Sequence, residues 1–337
     1  MKNKNLFTFI LLIPLLSSCG GSEATNKKVA LFSGKEYEEV GDVFKQSEDS
    51  TYQNFKYASQ NKESFIGIIY NSFTCSCYFD FRLAAQDYFF KNNIDPFTID
   101  AKYLENEKDL FNIKLPNSLE YPVICLFKEG KLAKQINYDK TNSVFTNEDA
   151  IKALIDDNYY HPVMIHTTID NLDEKIASNE EFFVYFRQET CSDCAQFSQN
   201  ILSNYFTNGF ENNLFKAKLP TIYMLDEDYD FEGYVWQEIK DLYGLSNAIN
   251  TELGYNTGYV PTVQYYKNSS LNAMMVYLND KIVENKVERT YYTAENINKQ
   301  DYLKGKEPFL DREIKNRDDI INYHNDIALS FLDYYFK

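Results

Sequence analysis

Histidine, tryptophan and glycine are scarce in this sequence: three His, one Trp and 12 Gly in 337 residues. His161, His166 and His324 form no partner pattern, which speaks against a histidine-built zinc site. No phosphate-binding glycine loop occurs, and nothing calls for a cofactor. Positive charge is also short. Lys and Arg number 34 against 50 Asp and Glu, for a formal charge of −16. That balance excludes a nucleic-acid partner, because phosphates need a positive surface. It also excludes simple attraction to anionic lipid headgroups, so any membrane attachment must be covalent or hydrophobic. Six cysteines, at 19, 75, 77, 125, 191 and 194, are too sparse for a disulfide-stapled mini-fold.

What is abundant is apolar and aromatic. Hydrophobic residues reach 44%, and Phe and Tyr number 26 and 28. That is enough for packed cores, and the length suggests two domains.

Met1 to Cys19 reads as an export signal. Lys2 and Lys4 form a basic start, and Leu6 to Leu16 is an apolar run interrupted by Pro14. The run is too short to span a bilayer but matches a signal-peptide core. Leu16-Ser17-Ser18-Cys19 follows and resembles the bacterial lipobox. That resemblance implies lipidation at Cys19, an extracytoplasmic location and a membrane anchor made of acyl chains. A plain signal peptide with an incidental cysteine is the alternative. Residues 19–35 are polar, have no clear period and read as a tether.

The remainder repeats. Phe65 to Tyr70 is an apolar run of strand length; Thr74-Cys75-Ser76-Cys77 follows it, then helical spacing through Phe81, Ala84, Ala85 and Tyr88. Phe182 to Phe186, then Thr190-Cys191-Ser192-Asp193-Cys194, then Phe197, Ile201 and Tyr205 repeat that order. In each half a proline (Pro122, Pro261) then opens a strand that leads to a hairpin turn, at Glu129-Gly130 and Asn268-Ser269. Helix candidates close the halves at Asn147 to Asp157 and within Arg312 to Phe336. Strands apolar on both faces require a sheet covered on both sides.

This order resembles the thioredoxin superfamily over most of both halves. The string around Cys191 is also similar to small exported thioredoxin-like proteins of the bacteriocin-transport-accessory type. The resemblance implies an α/β fold: tandem thioredoxin-like domains at 36–160 and 161–337, each a central mixed sheet flanked by helices. It further implies cis peptide bonds at Pro122 and Pro261, the latter beside the Cys191–Cys194 pair. The chain departs from the family in two ways. Thr74 and Thr190 stand where thioredoxin has a tryptophan. Ile69 and Tyr185 replace the family's buried acid.

Chemically, Cys-x-x-Cys at a helix start supplies an ionisable thiol and a second thiol within disulfide reach. Cys191 is assigned as nucleophile and Cys194 as the resolving thiol. Asp193 and Glu189 oppose a second anion, and no Lys or His lies nearby in sequence. This predicts a less acidic nucleophile than in a centre with a basic dipeptide. A static disulfide or a zinc site are the rival readings of the motif. Cys75-Ser76-Cys77, with Pro122, is a possible second redox pair or a decayed repeat that retains the fold. Cys125 is expected to be a buried core thiol.

The gap before Pro261 is longer than its counterpart, with the surplus at 227–256. Trp236, Ile239 and Tyr243 fit a helix there, either packed on the core or lining a substrate groove. The functional expectation is a membrane-anchored thiol-disulfide oxidoreductase. Its partners would be thiols or disulfides of exported proteins and a membrane electron donor or oxidant. A non-catalytic binding lipoprotein is the alternative.

Overall fold

Both cysteine-preceding runs lack a polar face, and each becomes the interior strand of its own sheet. The computed structural model describes residues 27–45, 48–71, 76–104, 111–116, 120–188, 191–216, 219–226, 235–245, 260–277, 281–283, 286–288, 300–305 and 315–337. In chain order the first half holds β1 (Val29–Ala30), β2 (Ser33–Lys35), α1 (Glu48–Gln60), β3 (Phe65–Tyr70) and α2 (Ser76–Lys91). It continues with β4 (Phe97–Asp100), α3 (Ala101–Leu104), β5 (Val123–Lys128), β6 (Lys131–Asn137), α4 (Glu148–Asn158) and β7 (Tyr159–Tyr160). The first sheet runs β4-β3-β5-β6, with β3 parallel to β4 and antiparallel to β5.

The second half repeats this with β8 (Met164–His166), α5 (Ile169–Ala177), β9 (Phe182–Arg187) and α6 (Ser192–Phe197). A π turn at Ser198–Leu202 joins α6 to α7 (Ser203–Glu211). Then come β10 (Ile222–Asp226), α8 (Trp236–Leu242), β11 (Thr262–Lys267) and β12 (Ser270–Val276). The helix Arg317–Phe336 closes the chain as α9. The sheet order is β12-β11-β9-β10-β8-β2. Strand, turn, helix, strand, cis-proline, hairpin and helix thus recur in both halves. The fold is α/β with tandem thioredoxin-like units.

Alternation along β3 and β5 explains how one sheet carries two cores. Ile66, Ile68, Ile124 and Leu126 enter one cluster with Phe81, Phe89 and Ile155. Phe65, Ile69, Val123, Cys125 and Phe127 enter the other with Phe55 and Phe111. Successive side chains point to opposite faces, so every position of these strands except Tyr70 is buried. Cys125 is a core thiol there, and burial pushes its pKa up. Helix starts follow the capping rule: the Asn147 side chain accepts from Ala150 N, Thr168 from Asn171 N and Asn316 from Asp319 N. Both hairpin turns use left-handed residues, Glu129-Gly130 and Asn268-Ser269, as a tight turn between right-twisted strands demands.

One segment departs from the sequence-based expectation. Residues 29–35, assigned to the tether, are structured. Val29, Ala30, Leu31 and Phe32 form an apolar tetrad that is fully buried. From it β1 pairs with β7, and β2 joins the second sheet alongside β8. The first half therefore donates a strand to the second. Residues 1–26, with Cys19, lie outside the described residues. No helix among the described residues is long and apolar enough to cross a membrane.

Candidate redox site

The apolar strand β9 ends at Arg187, and the chain turns into α6 with Cys191 as its N-cap. There Cys191 Sγ accepts the Cys194 backbone N–H at 3.1 Å, one of the donors a helix start leaves free. On its other side the Cys191 thiol donates to the carbonyl of Val260 at 3.5 Å. The Val260–Pro261 bond is cis. Thr262, the next residue, lies opposite Phe186 in the β9–β11 ladder, and this register brings Pro261 beside the motif. Cys191 is half-buried, and Cys194, Pro261 and Phe197 are buried. Cys191 and Cys194 stand as free thiols.

The electrostatics separate the two thiols. The Cys194 thiol, hydrogen-bonded to Cys191, holds the Cys191 pKa below the ordinary thiol value; burial opposes this, and the Cys194 backbone N–H adds to it. Burial above all pushes Cys194 well up. An accessible, more acidic thiol beside a buried, unreactive one is the pattern needed for nucleophile and resolving thiol. Asp193 does oppose the thiolate, but Arg317 Nη2 donates to Asp193 Oδ1 at 3.0 Å. The compensating cation comes from α9, far along the chain, where local sequence gave no sign of it. Glu189 and Thr190 lie outside the described residues.

Where the family places a buried acid, Tyr185 donates to the Cys194 carbonyl at 3.5 Å and shares a 3.2 Å hydrogen bond with Ser198 Oγ. Ionisable groups are nonetheless buried at the end of β9. Arg187 pairs with Asp226 at 2.8 Å and with Glu63 at 3.5 Å. Burial opposes its charge, and the two carboxylates outweigh burial. Its guanidinium also lies over the rings of Phe32 and Tyr57, at 5.5 and 5.2 Å. Sequence reasoning missed this cluster, although a charged residue ending an otherwise apolar buried strand was a visible signal.

In the first half Cys77 is the second residue of α2 and is disulfide-bonded; Cys75 lies outside the described residues. Tyr121–Pro122 is cis, as Pro261 is in the second half. Of the surplus at 227–256, the described part carries α8. Ile239, Tyr243 and Leu245 are buried in the second core, and Tyr243 Oη donates to Asp173 at 3.0 Å. This stretch is a core-packed helix; the flanking positions 227–234 and 246–256 lie outside the described residues.

No family model and no curated protein matches the chain. Solved structures do. Full-length ERdj5 is matched at 14% identity over 66% of this chain, with a TM-score of 0.28; the chain spans 28% of that protein. The bb fragment of ERp72 is matched at 11% identity over 90% of this chain and 98% of that one, with a TM-score of 0.32. The first two thioredoxin domains of Naumovozyma dairenensis Eps1p are matched at 14% identity over 81% and 98%, with a TM-score of 0.22. Strand order, register and the two cis-prolines identify the fold independently of these likenesses.

Proposed function

We propose that the chain is an extracytoplasmic, lipid-anchored thiol-disulfide oxidoreductase acting on exported proteins through Cys191 and Cys194. The observation that carries this is the seat of Cys191: N-cap of α6, Sγ on the Cys194 N–H, beside cis-Pro261. The Cys191 thiolate attacks one sulfur of a substrate disulfide. A Cys191–substrate bond forms, the substrate S–S bond breaks, and the departing thiolate takes a proton. Cys194, deprotonated, then attacks Cys191 Sγ and releases the second substrate thiol. The substrate gains two electrons, and the protein is left as the Cys191–Cys194 disulfide. A membrane dithiol donates two electrons by disulfide exchange and returns the pair to thiols; run in reverse, the same steps oxidise substrate dithiols, and a membrane oxidant then re-forms the Cys191–Cys194 disulfide. In this reading the Val260–Pro261 segment that leads into β11 receives an extended substrate segment by backbone pairing. Anchoring through Cys19 is supported by the lipobox-like Leu16-Ser17-Ser18-Cys19.

Replacing the resolving thiol tests the proposal. Cys194→Ser expressed in the exporting host should accumulate mixed disulfides with exported proteins, released by reductant and absent in the Cys191→Ser/Cys194→Ser double variant. A chain that traps nothing, while still recovered with non-covalent partners, is a binding lipoprotein instead.

A further inference from the structure

Asp193 sits inside the cysteine motif, two residues after the nucleophile, with its side chain a quarter exposed. An anion there works against the thiolate form of Cys191. Three groups from outside the motif face it. Arg317, in the first turn of α9, donates from Nη2 to Oδ1 at 3.0 Å. His324, two turns further along α9 and buried, and Tyr277, just past β12, also act on Asp193 electrostatically. Tyr277 packs on Phe197 of α6, with ring centroids 5.1 Å apart. The start of α9 is held in place: Asn316 caps Asp319 N, and Ile320, Tyr323 and His324 are buried just behind it. Arg317 is thus delivered to Asp193 by a fixed element.

We propose that Arg317 is a positioning residue of the cysteine centre: it closes the Asp193 carboxylate into an ion pair and so sets how readily Cys191 reacts. This rests on Cys191 being the nucleophile proposed above. It adds that the poise of the centre is written partly in the C-terminal helix rather than in the Cys191–Cys194 loop alone. A partly exposed ion pair contributes little to folding stability. Its consequence is therefore to be read at the thiol.

The test is the pH profile of Cys191 alkylation by iodoacetamide in the reduced full-length chain, with each cysteine followed separately by peptide mass spectrometry. Arg317→Gln should move the profile to higher pH and slow alkylation at neutral pH roughly three- to tenfold, half to one pKa unit. Arg317→Lys should restore most of the wild-type rate, because it returns the charge. Asp193→Asn/Arg317→Gln should return close to wild type, because the anion that needed compensation is gone. A purely structural arginine predicts no rescue by the double variant. An unmoved profile in Arg317→Gln, with folding intact by circular dichroism, overturns the proposal. The readout uses a small reagent and no protein substrate. Failure of mixed-disulfide trapping with a shifted profile would therefore sink the oxidoreductase proposal and leave this one standing.

Discussion

Arg187 Nε lies 2.8 Å from Asp226 Oδ2, and both side chains are almost fully buried beneath the cysteine motif. The same guanidinium reaches Glu63 of the first half at 3.5 Å and lies over Phe32 and Tyr57, also of the first half. The strand that delivers Cys191 is thereby tied to the other unit by charge as well as packing. Gln199, in the π turn that follows α6, adds a 3.2 Å hydrogen bond to Asn61.

Removing one member of such a cluster leaves the others buried and uncompensated, which costs about 3–5 kcal/mol. Arg187→Leu should therefore lower the stability of the chain by about that much in urea unfolding. Glu63→Gln should cost less, about 1–3 kcal/mol, because burial already favours the protonated carboxyl and Asp226 remains on Arg187. Equal, small effects from the two substitutions would mean that water reaches the cluster.

The two thiols of the motif should titrate apart. A thiolate forms above its pKa, so the lowered value at Cys191 extends its reactivity to lower pH than an ordinary thiol with pKa 9.0 allows. Cys194, pushed up by burial, should resist alkylation throughout that range. In the reduced chain, alkylation mapped between about pH 6 and 9 should mark Cys191 first and leave Cys194 and Cys125 unmodified until unfolding. Equal rates at Cys191 and Cys194 would contradict the assignment of nucleophile and resolving thiol.

A second polar cluster lies at the junction of the halves. Tyr88 donates to Asp156 Oδ1 at 2.6 Å, and His161 Nε2 lies 2.9 Å from the same oxygen. Burial raises the Asp156 pKa, but the hydrogen bonds from Tyr88 and His161 together bring it below 3.8. A depressed carboxylate contributes stability that is complete above its unfolded pKa and lost as pH falls through the folded one. Asp156→Asn should thus cost up to about 1 kcal/mol at neutral pH, discounted for a carboxylate that is about one-third exposed. The difference from wild type should close as the pH falls through the depressed folded-state pKa. Urea midpoints measured across that range decide it; a constant difference at all pH values would point to lost packing instead.

Much of the architecture was legible because it rests on local signals. Phe182 to Phe186 had no polar face, so it had to be interior. Pro122 and Pro261 opened strands before left-handed turn pairs, and Cys191 stood where a helix begins. Residues 29–35 escaped notice because strands of two and three residues carry no period. Arg317 escaped because its partner is remote in sequence; charge compensation that depends on tertiary structure has no local pattern to read. The π turn at Ser198–Leu202 is of the same kind. Ser198 is buried against Tyr185, a contact made across the fold.

The donated strand β2 gives the last prediction. Gly34 sits at its centre, pairs with Ile165 of β8 and forms a bridge to Ile94 of the first half. Lys35 N donates to Asn93 O at 3.0 Å, so the backbones of the two halves approach closely here. A Cβ on Gly34 would lie 2.0 Å from Asn93 O and 2.7 Å from Pro162 Cγ. Neither neighbour can yield cheaply: one is backbone, and the other is a proline ring at the junction. Gly34→Ala must therefore push β2 from β8 or from the 93–94 turn, at a cost of about 1–3 kcal/mol for overpacking. The loss should fall on the contact between the halves rather than on either core. Hydrogen exchange should speed at Lys35 and along β8, while the buried amides of β3 and β5 keep their protection. Uniform loss of protection in both sheets would instead mean that the two halves unfold as one unit and that β2 is part of what joins them.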